Sequence, residues 1–206
     1  MNTSIQTDIA KVCINLSTEV KILQSLCEKM FSSQKKYQPM ATFYSDSSTR
    51  FITLTISPQT NFEDSLIRLS EILHLYSAID AQSAIVSLTA KVNINDNSYE
   101  SLMIFILSEE HAWHMMLPYT FDSDQNVRWL NDHFETNEIY TEDHQNISKD
   151  MMNIFFLFTH TTPSPYSTSE VLSYLSATGA TATFHTNEEI SFYDFSTETN
   201  PFILKE

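Results

Sequence analysis

One glycine, Gly179, serves all 206 residues, where average usage of roughly 7% would supply about fourteen. Glycine accepts positive φ and lets a backbone approach a ligand closely, so turns, caps and phosphate cradles built on it have almost no raw material here. The chain contains no GxGxxG, no P-loop, no GxSxG nucleophile elbow and no EF-hand loop. Asn, Ser and Thr must therefore make the turns, through side chains that copy backbone hydrogen bonds or tolerate left-handed geometry.

Hydrophobic residues at 42% and aromatics at 12% suffice for a full core at this length and argue against disorder. Residues 1–11 lack the apolar stretch of a signal peptide, and the longest apolar run, 151–158, is too short to span a bilayer. A soluble, cytoplasmic protein with no membrane contact is expected. Cys13 and Cys27 fall on one expected helix, a rise of roughly 21 Å apart that forbids a disulfide between them. They read as buried thiols in a reducing compartment.

The net charge is −15, and after residue 40 six Lys or Arg face 23 Asp or Glu. Such a field repels nucleic-acid phosphates and anionic lipid and favours a basic protein partner, or serves solubility alone. Its densest stretch holds Asp122, Asp124, Asp132, Glu135, Glu138, Glu142 and Asp143 against one base, Arg128. Exposed loop or edge structure is expected there, and these seven acids are the candidate binding residues.

Periodicity supplies the fold. Ile5, Ile9, Val12, Leu16, Val20, Leu23, Cys27 and Met30 recur at steps of three and four, one face of a long amphipathic helix. We expect residues 1–36 to form that helix and 40–206 a single α+β domain, with Ile9, Leu16 and Leu23 available to pair two copies of the chain. Residues 51–56 read as a strand, ended by Pro58, and 62–79 as a helix capped by Asn61. From 83 to 121 the period becomes two, which predicts a meander of three antiparallel strands turning at 95–98 without glycine. The middle strand, 99–107, is apolar on both faces and belongs at the centre, while Pro118 marks an edge or bulge in the third. Residues 127–134 give a weak further strand, 148–159 and 168–178 give helices, and 181–186 with 190–195 give a hairpin. Ser167 with Glu170 makes a capping box for the last helix, and Gly179 suits its left-handed C′ position. The expected class is a mixed or mostly antiparallel sheet covered by three helices, plus the long first helix.

Chemistry-bearing motifs are sparse. Glu110, His111 and His114 form the densest ligand cluster, but a helical zinc pair wants histidines four apart, and three apart on a strand they tend to face opposite ways. Asp132 with His133, and Glu142, Asp143 with His144, add potential ligands without fixing them in space. His160 and Thr162 match one His-x-Thr element of two-histidine phosphoesterases; His185 lacks the second hydroxyl, which leaves helix termination as the better account of His160. Two cysteines on an apolar helical face are protected thiols, not activated nucleophiles.

Two functions survive. In the first, the chain is a non-catalytic acidic module of the adaptor, chaperone or inhibitor type, docking a protein with a basic surface and needing no cofactor. Mimicry of nucleic acid by carboxylates, as in some phage or mobile-element inhibitors, is its special case, and direct nucleic-acid binding is not expected. In the second, it is a small metal-dependent hydrolase of a phosphorylated or nucleotide substrate, using some of the histidines and acids.

Overall fold

The computed structural model describes residues 16–34, 36–44, 50–56, 83–108, 112–138, 167, 169, 170, 173, 177, 180–185 and 190–194. Among them are the α-helix α1 (Leu16–Gln34) and nine strands. In chain order these are β1 (Met40–Tyr44), β2 (Arg50–Thr55), β3 (Ser83–Ile94), β4 (Asn97–Ser108), β5 (Ala112–Phe121), β6 (Val127–Trp129), β7 (Glu135–Glu138), β8 (Thr181–His185) and β9 (Ile190–Asp194). They join one sheet in the order β6-β5-β4-β3-β1-β2-β8-β9, with β7 also on β5. Every pairing among them is antiparallel.

The centre of the sheet lies where the apolar pattern is continuous. In β4, residues 101–106 are all buried, and β3 and β5 flank the strand in register, Ile106 opposite both Ile85 and Trp113. Side chains of alternate parity face opposite ways. Leu102, Ile104 and Ile106 join Ile85, Trp113, Met115, Leu117 and Tyr119 in a core that also holds Leu23 and Cys27 of α1. Ala41, Phe43, Leu54, Val86, Leu88, Met103 and Phe105 take the opposite parity and are buried as well. Each such aliphatic or aromatic side chain contributes on the order of 1.5–3 kcal/mol by leaving water.

Helix α1 lies on the first of these faces. Val20, Leu23, Leu26, Cys27, Met30 and Phe31 supply its apolar stripe, the three- and four-residue steps of an amphipathic helix. Leu23 is 6% exposed and packs within its own chain. The helix and the sheet share one core. Ile9 lies outside the described residues. After α1 the chain is held down by Tyr37, whose hydroxyl shares a 2.6 Å hydrogen bond with Ser87 Oγ beneath the helix. Pro39 then accepts a backbone hydrogen bond from Ile56 N–H at 2.9 Å.

Strand β1 is a departure from the sequence reading, which began the sheet at residue 51. Its five residues are buried on both faces except for Thr42, so it shows neither a helical nor an alternating period. The weak strand expected at 127–134 is two short ones. β6 pairs Tyr119 to Phe121 of β5, a 3-10 turn (Asn131–His133) follows, and β7 pairs Trp113 to Met116 of the same strand. Pro118 sits between those two pairings, its carbonyl accepting Leu130 N–H at 2.9 Å. In an antiparallel strand the N–H and C=O of a residue point the same way. Proline's missing donor therefore faces the β6–β7 side, where it forgoes the return bond to Leu130 and leaves the ladder to β4 unbroken. An interior strand tolerates it there without a bulge.

Glycine-free turning works as its composition requires. β3 and β4 are joined by Asn95 and Asp96 alone, with φ of 49° and 64°, the doubly positive pattern of a type I′ turn. Gln125 turns the β5–β6 loop at φ 64°, a position where a β-carbon costs about 1–2 kcal/mol. Gln125→Gly should therefore raise the thermal midpoint by several degrees in calorimetry; an unchanged midpoint would show the loop carries no such strain.

The helices expected at 62–79 and 148–159, and Gly179, lie outside the described residues. Of 168–178, Ser169, Glu170, Ser173 and Ala177 are described and helical. The expected capping box precedes them: Glu170 Oε2 accepts Ser167 N–H at 2.7 Å, and Ser167 Oγ accepts Glu170 N–H at 3.4 Å. Ser167 Oγ–H also donates to Glu170 Oε2 at 2.7 Å, and that bond, followed by the one from Ser167 N–H, holds the Glu170 carboxyl below its ordinary pKa. The 181–186 and 190–195 hairpin is present as β8 and β9, with His185 opposite Ile190.

Candidate binding surface

The acidic run begins where β5 leaves the sheet, and the loop at 122–126 is built by its first carboxylate. Asp122 Oδ1 accepts the N–H groups of Asp124 and Asn126, both at 2.9 Å, and Asn126 Nδ2 approaches Oδ2 at 3.4 Å. The loop closes through Gln125 N–H to Asp122 O and Asp122 N–H to Asn126 O. Those donors, led by Asn126 N–H, lower the Asp122 pKa, and Arg128 adds to the effect. Asp122 thus organises the hairpin itself. Asp124, Asp132 in the 3-10 turn and Glu135 at the start of β7 are exposed.

Among the described residues no three acidic side chains come together. Glu135 pairs in register with Met116 and Glu138 with Trp113, at the two ends of β7. Glu142 and Asp143 lie outside the described residues. The described part of the run is a string of carboxylates along a sheet edge, without a shared pocket.

A cluster of rings supports this edge from the α1 side. Phe31 meets Tyr119 and Phe121 with centroids 5.6 and 5.1 Å apart, and Tyr119 meets Phe121 at 5.6 Å and Trp129 at 5.5 Å. Trp129 continues to Phe134 at 6.4 Å. Most are tilted or edge-on, the arrangement that ring quadrupoles favour. Trp129 Nε1 donates to Glu28 Oε1 at 2.7 Å, tying β6 to α1. Phe121, 36% exposed, is the exposed large hydrophobic of the described residues. Sequence reasoning reached β5 as the last strand of the 83–121 segment, and alternation puts Trp113, Met115, Leu117, Tyr119 and Phe121 on one of its faces. It missed Glu28, Phe31, Trp129 and Phe134, whose meeting carries no local signal.

The remaining candidates are buried singly. Cys27 is fully buried, and burial, aided by Glu28, pushes its thiol up to about 12; it is a protonated core residue, as expected. Its partner on the expected helix, Cys13, lies outside the described residues. His114 is 8% exposed beside Phe105, and its Nδ1 has no hydrogen-bond partner. Glu110 and His111 lie outside the described residues, and among the described residues no three His, Cys, Asp or Glu side chains come together as metal ligands. Nor is any described helix long and apolar enough to cross a membrane.

No family model, curated protein or solved structure matches the chain. Its own side chains carry the functional argument, and His114 has a direct signature. Burial lowers its pKa, so the folded state favours neutral imidazole. Stability from this group is complete above the ordinary value near 6.5 and is lost as pH falls from there through the folded-state pKa, because the unfolded chain binds the proton more readily. Urea midpoints should fall between pH 7.5 and pH 5 in the native protein and fall less in His114→Leu. Equal pH slopes in the two proteins would refute this.

Proposed function

We propose that this protein is a non-catalytic acidic binding module of the adaptor, chaperone or inhibitor type, acting in the cytoplasm on a protein with a basic surface. The observation supporting this most is the set of exposed carboxylates Asp124, Asp132 and Glu135 on an edge whose backbone is fixed by the Asp122 loop and the aromatic cluster. Arg128 is the sole Lys or Arg between 112 and 138. A fixed array of one sign steers an oppositely charged partner and selects its orientation, whereas mobile carboxylates would only solvate the chain.

Charge reversal tests it. Asp124→Lys, Asp132→Lys and Glu135→Lys combined should lower the association rate with proteins captured from native lysate by about tenfold or more, since steering by clustered charge accounts for 10- to 1000-fold. Affinity for the native protein should fall as salt shortens the screening length below about 8 Å. Circular dichroism on the triple variant confirms that the fold persists. Capture that ignores both the reversal and the salt overturns the proposal.

A further inference from the structure

We draw no further inference here: the strongest candidate, the aromatic patch where Phe121 of the β5–β6 hairpin meets Phe31 of α1 ahead of Asp122 and Asp124, belongs to the surface already described, and nothing in the structure shows what covers it.

Discussion

Leu23→Asp should abolish the folded state, not alter how copies of the chain associate. The side chain lies between α1 and the sheet in the cluster that includes Cys27, Leu102, Ile104 and Leu117. A carboxylate there loses the aliphatic packing and meets no compensating cation among the described members of that cluster. An unpaired buried charge is among the mechanisms that produce losses of more than about 4–5 kcal/mol, a large part of the roughly 5–15 kcal/mol that holds a domain together. Collapse of the near-ultraviolet circular dichroism signal is the expected result. A folded variant of altered mass in light scattering would return Leu23 to an interface between chains.

Trp113→Ala is the second large effect. Trp113 is 1% exposed on β5, opposite Ile106, and is the largest fully buried side chain among the described residues. Deleting an indole from such a site costs about 3–5 kcal/mol through lost transfer and the cavity left behind. Urea denaturation should show a midpoint reduced in proportion with an unchanged slope. A loss below about 1 kcal/mol would mean that the sheet closes around the void.

What could be read beforehand, and what could not, follows from where the information resides. The start of β3, the end of β5, the double-sided burial of β4 and a glycine-free reversal within 95–98 were all visible, because each is carried by consecutive residues and an unbroken period. β1 escaped because burial on both faces removes alternation from five residues. β7, the sequence Glu-Thr-Asn-Glu, has little strand preference of its own and is recruited by the open edge of β5, a tertiary effect that overrides propensity. The candidate surface divides in the same way. Its acids were evident as a run, but Asp122 is engaged by its own loop and the rest are spread along the edge. Trp129 and Glu28 are 101 residues apart, and no period or spacing joins them.

The β2–β8 ladder sets an order of assembly. Thr55 pairs with Thr181 and Ile52 with Phe184, so about 125 residues must leave the ribosome after β2 before its second neighbour exists. At synthesis rates of roughly 5–20 residues per second that interval is on the order of 6–25 s, whereas the β3–β4 hairpin, whose turn is two residues long, can zip in microseconds. For that whole interval the nascent chain carries a half-built sheet with an open hydrogen-bonding margin at β2, the kind of template that recruits other strands. Until β8 arrives, that margin is where a strand of another nascent chain can pair.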